Sequence, residues 1–155
     1  MRTLILYKSK HGATREYVQY LHQEIKDSFI CYINDFKIEN LKEYEYVIIG
    51  CPTYIGQVDA YTYLVNHWEY FKNKKVFVFT VGLKDPNDRS SIESYNRIPP
   101  NIRKKIQYRK LPGRIDYQQL NLLEKLILKM VNVKAPDKID PTATDPILSF
   151  VRLHG

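Results

Sequence analysis

Two nearly uninterrupted apolar runs constrain the fold of this 155-residue chain more than any other feature. Tyr46–Cys51 reads Tyr-Val-Ile-Ile-Gly-Cys, and Lys75–Val81 reads Lys-Val-Phe-Val-Phe-Thr-Val. Strands that are covered on both faces read as continuous apolar runs, whereas strands with one wet face alternate between apolar and polar residues. The two runs therefore predict inner strands of a parallel sheet that carries helices on both faces.

Shorter strands alternate with helical periodicity in the first half of the chain. Leu4–Tyr7 and Phe29–Ile33 read as strands, and Thr14–Lys26 reads as a helix with apolar residues at helical spacing. Asp59–Phe71 is predicted to be the next helix. This alternation predicts an α/β fold with right-handed crossovers between parallel strands.

The second half is less regular, but it contains no repeat and no sign of a second domain. The Pro99-Pro100 pair breaks any helix that reaches it. In order, the predicted elements are a helix at Arg89–Asn96, a helix at Asn101–Tyr108, a strand at Leu111–Ile115, a helix at Tyr117–Val131, a loop at Ala135–Asp145 and a short helix at Pro146–Leu153.

A turn rich in hydroxyl, glycine and basic residues follows the first strand. Backbone N–H groups at a helix start lack intrahelical partners and lie at the positive end of the helix dipole, so they can bind phosphate. The alternative is an ordinary strand-to-helix turn with a threonine cap. The chain contains neither G-x-x-x-x-G-K-[ST] nor G-x-G-x-x-G, which argues against a nucleoside triphosphatase and a Rossmann dinucleotide site. The candidate phosphate residues are Ser9, Lys10, His11, Gly12, Ala13 and Thr14.

Two further loops follow the inner strands at the same edge of the predicted sheet. In open parallel sheets, ligands bind outside the carboxyl ends of the strands. The first of these loops has an aromatic residue and a glycine, which suit a flat ring, and the second begins at Gly82. Together with the phosphate turn they suit a mononucleotide with a planar head group better than they suit a hydrolase. The candidate residues of the first loop are Pro52, Thr53, Tyr54, Ile55 and Gly56.

The segment Ile5–Thr14 resembles the FMN-phosphate signature of flavodoxins, and Cys51–Gly56 resembles the second flavin loop of that family. The signature usually continues to an alanine four residues after its threonine, where this chain has Val18. The resemblance implies a doubly wound, five-stranded parallel sheet in the order 2-1-3-4-5 and a single FMN-binding domain over residues 1–155.

The resemblance also implies roles for the three loops. The phosphate turn would hold the FMN phosphate, Thr53–Gly56 would approach the N5 edge of the ring, and Gly56 could reorient its peptide toward reduced flavin. Because a flavin carries the redox chemistry itself, we expect no catalytic side chain and no metal. The expected pyrimidine contacts are Thr80, Val81 and Gly82.

Two later segments, Arg114–Tyr117 and Leu122–Met130, are similar to the long insertion of menaquinone-dependent protoporphyrinogen oxidases. In that family an apolar, basic helix interrupts the last strand of a flavodoxin fold. The similarity implies an insertion at about residues 112–137, with a fifth strand in two pieces, at Leu111–Ile115 and near Lys138–Ile139. Leu120–Val131 is apolar around more of its circumference than a surface helix needs. We expect it to be buried; a helix that faces a partner or a membrane is the alternative.

The chain is basic, with a formal net charge of +7 and a pI near 9.3. Much of the excess lies between Lys72 and Arg114, which would attract an acidic protein, nucleic acid or anionic lipid headgroups, unless it is simply a solvated face. No RNA-recognition aromatic motif is present, so no nucleic acid partner is expected. Ordinary flavodoxins tend to be acidic, so this charge argues against the plainest electron carrier.

Cys31 and Cys51 have no metal-ligand spacing and lie in apolar runs, so we expect buried free thiols; a catalytic thiol at Cys51 is the alternative. No apolar run approaches the roughly 20 residues that span a bilayer. The first strand begins almost at once, without a signal peptide, so a cytoplasmic location is expected. Peripheral contact with the inner face of the membrane would be made through Leu120–Val131.

Three functions are compatible with these features. The first is a quinone-dependent protoporphyrinogen IX dehydrogenase that passes electrons through FMN. The second is an electron-carrier flavodoxin with protein redox partners. The third, of a different class, is a non-redox basic binding module on the same scaffold, since a fold does not determine a function.

Overall fold

A single parallel sheet in the order β2-β1-β3-β4-β5 organises the part of the chain that the structure describes. The structure is a computed structural model, and it describes residues 2–9, 12–53, 59–114, 118, 120–131 and 136–153. The predicted strand order 2-1-3-4-5 is confirmed. The strands are β1 (Thr3–Tyr7), β2 (Ser28–Tyr32), β3 (Tyr46–Pro52), β4 (Lys75–Gly82) and β5 (Ile106–Pro112).

The inner strands are as buried as their sequences predict. All residues of β3 but the last are buried, as are all residues of β4 but the first and last. The pairing register sets Tyr46 beside Lys75 and Pro52 beside Val81. Because every side chain of these strands meets a core on one face or the other, only apolar or small residues fit along them.

Helices cover both faces of the sheet, as predicted. On one face, α1 (Ala13–Glu24) and α7 (Asp145–Leu153) bury Tyr17, Leu21 and Phe150 against Ile48 and Phe77. On the other face, α2 (Asp59–Asn66) and α3 (Trp68–Phe71) contribute buried residues that include Leu64 and Phe71. Within the described residues, the α-helices are α1 (Ala13–Glu24), α2 (Asp59–Asn66), α3 (Trp68–Phe71), α4 (Arg89–Asn96), α5 (Pro100–Arg103), α6 (Leu122–Val131) and α7 (Asp145–Leu153).

The helix predicted at Asn101–Tyr108 is present only as far as Arg103, and its extension to Tyr108 is wrong. The helix α5 ends at Arg103, and β5 already begins at Ile106, where it pairs with Val76 of β4. As the edge strand, β5 is covered less than its neighbours: Ile106 and Leu111 are buried, whereas Arg109 is exposed. A strand with so little covered surface carries few apolar residues, so its sequence does not read as a buried strand.

Two other predicted helices are shorter than expected. The segment Asp59–Phe71 is divided into α2 and α3 at His67, whose Nδ1 lies 2.9 Å from the carbonyl oxygen of Tyr63. The helix predicted from Tyr117 begins only at Leu122. There the side chain of Asn121 accepts a hydrogen bond from Glu124 N at 2.8 Å, which is the action of a helix cap.

The expected two-piece fifth strand is also wrong. β5 is one continuous strand that pairs with β4 from Ile106 to Pro112, and Lys138 and Ile139 lie outside any strand. Pro112, at the end of β5, and Asp140, shortly before α7, instead both contact Tyr17 of α1. The Tyr17 hydroxyl donates to the carbonyl of Pro112 at 2.5 Å and accepts from the N–H of Asp140 at 3.2 Å.

The expected burial of the apolar helix is wrong as well. In α6, Leu122 is 86% exposed and Met130 is 79% exposed, and Leu123, Leu126 and Ile127 are also exposed. None of the described helices is both long enough and apolar enough to cross a membrane. The helix α6 therefore presents a row of apolar side chains to the outside.

Candidate functional site

The register of the sheet brings the carboxyl ends of four strands to one edge. Tyr7 at the end of β1 pairs with Gly50, and Pro52 at the end of β3 pairs with Val81. Gly82 at the end of β4 pairs with Pro112 at the end of β5. The residues that follow these strands therefore share one edge, which is where ligands bind in open parallel sheets.

The turn after β1 has the backbone geometry of an anion site. Gly12 immediately precedes α1 and has φ +85°, in the left-handed region that L side chains rarely adopt. Its N–H donates to the Ser9 hydroxyl at 3.1 Å, and its carbonyl accepts from Glu16 N at 2.9 Å. These bonds close a tight turn at the start of a 12-residue helix, where the first-turn amides have no intrahelical acceptor. Lys10 and His11 lie outside the described residues.

The two residues that open α1 are packed against the sheet. Ala13 is half-buried against the core formed by α1 and α7, and Thr14 is only 1% exposed. Their backbone amides belong to the positive end of the helix. What this part of the turn contributes is therefore backbone N–H groups on a helix start that is fixed by core packing.

Arg114, which follows β5, lies beside the turn at Gly12, a position that the sequence did not indicate. Its guanidinium forms a bidentate ion pair with Glu16 in the first turn of α1. The Nε–Oε2 distance is 2.9 Å and the Nη2–Oε1 distance is 2.7 Å. A Cβ added at Gly12 would lie 3.2 Å from Arg114 Nη2. The rule that directed attention to the other strand ends applies to the fifth strand as well. The predicted strand ran on to Ile115, so it placed Arg114 inside a strand rather than after one.

The second and third loops are joined by Thr53. Its N–H and its hydroxyl both donate to the carbonyl of Val81, at 2.8 and 3.1 Å. A Cβ at Gly82 would lie 2.0 Å from Thr53 Oγ1, so Gly82 must be glycine for this contact to form. Pro52 and Thr53 are half-buried at the strand end, whereas Tyr54, Ile55 and Gly56 lie outside the described residues.

Two of the expected pyrimidine contacts have side chains in the core. Thr80 is fully buried, with its hydroxyl 2.7 Å from that of Tyr108, and Val81 is buried on the opposite face of the sheet. Of the three residues, Gly82 is the one that lies at the very end of β4, at the edge where the loops meet. Any contact that Thr80 and Val81 make with a ligand must therefore come from their backbone.

A second group of polar residues lies beside Gly82. Lys110 donates to the Ser91 hydroxyl at 2.5 Å, and its side-chain stem would be 3.2 Å from a Cβ at Gly82. Burial lowers the pKa of Lys110 below the ordinary lysine value. Asp88 caps α4 by accepting from Ser90 N at 3.0 Å, and hydrogen bonding from Ser90 is the main reason that its pKa is lowered. The sequence indicates Lys110 only as part of the basic stretch between Lys72 and Arg114.

The donor set fits a ligand with an anionic end and a flat end. The left-handed Gly12, the start of α1 and the Arg114 cation are the features that suit an anionic end. At the flat end, the Thr53 N–H and the Gly82 carbonyl are bonded within the protein, to Val81 O and Gly113 N, so a ring there would lie against strand ends that these contacts fix. A phosphate-bearing mononucleotide with a planar ring has both features.

Neither cysteine is arranged for catalysis. Cys51 is buried in β3, and Cys31 is half-buried in β2. Burial also raises the pKa of Cys31, which disfavours the nucleophilic thiolate. The expected burial is confirmed for Cys51, whereas it is wrong for Cys31, which is only half-buried.

Comparison with known proteins agrees with this fold. Among solved structures, a flavodoxin from the domain Archaea aligns with a TM-score of 0.52 and 15% identity over 85% of this chain and 97% of its own. Oxidised flavodoxin 2 from Bacillus cereus aligns with a TM-score of 0.51 and 15% identity over 85% of this chain and 99% of its own. A search of curated proteins gave no significant match. The family model described as flavodoxin domain matches residues 4–142. This chain therefore belongs to the flavodoxin-domain family.

Proposed function

We propose that this protein binds FMN and transfers electrons through it. The observation that supports the proposal most directly is the meeting of the Gly12 turn, the Arg114 cation and the Thr53–Gly82 contact at one edge of the sheet. Bound flavin would supply the one- and two-electron chemistry. The family assignment supports the same reading, because the matched domain is a flavodoxin domain.

The chain's own residues would bind and orient the cofactor. The turn from Ser9 to Thr14 would hold the phosphate through backbone N–H groups. Thr53 would keep the second loop against β4, and Gly82 leaves room for that contact because it has no Cβ. The backbone of Gly82 remains a predicted pyrimidine contact. The residues Tyr54, Ile55 and Gly56 remain predicted ring contacts, as do the backbones of Thr80 and Val81.

The visible spectrum tests this proposal. Protein that has been incubated with FMN and freed of excess ligand should show flavin absorbance bands with a stoichiometry near one per chain. A colourless protein after this treatment would contradict the proposal. If that protein also shifted labelled RNA, the non-redox binding module would be favoured instead.

A narrower activity, quinone-dependent dehydrogenation of protoporphyrinogen IX, is the second candidate. It is supported by the similarity of Arg114–Tyr117 and Leu122–Met130 to the insertion of such oxidases, and by the exposure of α6. The exposed apolar side chains of α6 share one face, and Lys125 and Lys129 lie along an edge of that face, as in helices that rest on anionic membrane surfaces. The continuous β5 departs from what this similarity implies.

Anaerobic turnover separates the two redox functions. A dehydrogenase loaded with FMN should oxidise protoporphyrinogen with a menaquinone analogue as acceptor, and faster in the presence of anionic vesicles. A protein that retains FMN but shows no turnover would be a carrier. A carrier's protein partner would be acidic, because the exposed basic side chains include Lys84, Arg89, Arg97, Lys104, Lys105 and Arg109.

A further inference from the structure

We infer that Arg114 is a phosphate-binding residue of the cofactor site and that Glu16 positions it. This inference rests on the proposed function, because it concerns the same FMN phosphate. It adds a side chain from beyond the fifth strand to a site that the three strand-end loops would otherwise form mainly with backbone groups.

Arg114 lies against the turn at Gly12. Its side chain is only 13% exposed, so the guanidinium is held against the protein rather than extended into solvent. Nη2 is 3.2 Å from the point where a side chain at Gly12 would begin. The cation therefore lies beside the left-handed turn whose backbone N–H groups would receive the phosphate.

The ion pair with Glu16 fixes the orientation of the Arg114 guanidinium. Two parallel N–H···O bonds fix the plane of the guanidinium as well as its position, which a single contact would not do. Glu16 is in the first turn of α1, so the same helix that offers its N-terminus to the phosphate also holds the arginine. Because Glu16 is itself an anion close to the turn, Arg114 also offsets the repulsion that a phosphate would feel there.

Comparison of FMN with riboflavin tests the inference, since riboflavin has the same ring and no phosphate. Dissociation constants would be measured by quenching of flavin fluorescence for the wild type, Arg114→Gln and Arg114→Lys. We expect Arg114→Gln to weaken FMN binding by about 10- to 100-fold, the range for a lost charge-assisted hydrogen bond, and to change riboflavin binding by less than about threefold. Arg114→Lys should retain part of the FMN affinity, because it keeps the charge but not the fork.

The double variant Glu16→Gln/Arg114→Gln tests whether Arg114 binds the phosphate or only neutralises the charge of Glu16. A phosphate ligand predicts that FMN binding stays weak in the double variant. If the double variant recovers wild-type FMN affinity, Arg114 acts only by masking Glu16 and the inference is overturned. Equal weakening of FMN and riboflavin by Arg114→Gln would also overturn it, because the arginine would then act on folding or on the ring.

Arg152→Gln is the matched control. Arg152 forms an ion pair of 3.5 Å with Glu24 at the other end of α1, so the control removes one positive charge from the same helix surface far from the turn. It should leave both flavin affinities unchanged. If wild-type protein binds neither flavin, the proposed function fails; if it binds FMN and Arg114→Gln leaves the FMN-to-riboflavin ratio unchanged, this inference alone fails.

Discussion

The ring of Phe79 lies directly over the backbone of Gly50 on the neighbouring strand. A Cβ added at Gly50 would be 2.3 Å from Phe79 Cζ and 2.6 Å from Cε1, far inside van der Waals contact. The pairing register sets these two residues side by side, and both are buried. Gly50 is thus required by packing between β3 and β4.

Substituting Gly50 with alanine should destabilise the protein by about 1–3 kcal/mol, because an overfilled core must move a ring or a strand. Urea unfolding of Gly50→Ala measures this. The matched test repeats the substitution in a Phe79→Leu background, where the smaller side chain leaves room and the added cost of alanine should fall below about 1 kcal/mol. An equal cost in both backgrounds would contradict the packing explanation.

Tyr17, which is buried, and Tyr63, which is half-buried with a buried hydroxyl oxygen, should respond differently to loss of the hydroxyl group. Tyr17→Phe removes the donor to Pro112 O and the acceptor for Asp140 N, and we expect a loss of about 1–3 kcal/mol in unfolding free energy. The Tyr63 hydroxyl is buried without a hydrogen-bond partner among the described residues, so Tyr63→Phe should be neutral or slightly stabilising. Chemical denaturation of both variants checks this, and a larger loss for Tyr63→Phe than for Tyr17→Phe would refute it.

Alkaline pH should weaken the fold partly through Tyr17. Burial raises the pKa of Tyr17 above the ordinary tyrosine value of about 10. The unfolded chain therefore loses this proton first, so the stabilisation is complete below pH 10 and declines as the pH rises toward the folded-state pKa. The pKa of Lys110 is lowered by burial and acts in the opposite direction, but it contributes equally to the wild type and to Tyr17→Phe.

Unfolding free energies measured between pH 8 and pH 11 test this linkage. The wild type should lose more stability above pH 10 than Tyr17→Phe does, so the difference between the two proteins should shrink as the pH rises. A difference that stays constant over this range would mean that the Tyr17 proton is not involved.

Replacing the most exposed apolar residues of α6 should leave stability intact. Leu122→Ser with Met130→Ser should change the unfolding free energy by no more than about 0.5 kcal/mol, since both side chains are largely outside the core. If α6 rests on a membrane, the same variant should bind anionic vesicles at least about tenfold more weakly. Leu153→Ser, another highly exposed apolar position, is the control and should bind vesicles as the wild type does. Unchanged vesicle binding by the double variant would exclude α6 as the contact.

The sequence predicted the elements whose burial is visible in the pattern of their own residues. β3 and β4 are covered on both faces, so their sequences are nearly continuous apolar runs. β5 is an edge strand that carries Arg109 and Lys110, so its sequence predicts a helix as far as Tyr108 and a strand only from Leu111. Burial of α6 could not be judged from periodicity, which gives the apolar face of a helix but not what covers it.

The site divides in the same way. The turn at Gly12 and the contact between Thr53 and Gly82 follow from strand ends, which can be located in the sequence. The pair of Arg114 with Glu16 joins residues 98 positions apart, and no local pattern brings them together. Thr80 was expected at the cofactor, but its hydroxyl meets Tyr108, because the side chains of a strand alternate between the two faces of the sheet.

The hydroxyl of Tyr17 bonds to both Pro112 and Asp140, so two positions far apart along the chain are joined at one atom. The number of residues between two positions joined in this way can change without altering the route that the sheet follows. Selection can therefore lengthen, shorten or rewrite α6 and its flanks, and so change what this domain contacts, while the strands and the flavodoxin topology are inherited unchanged.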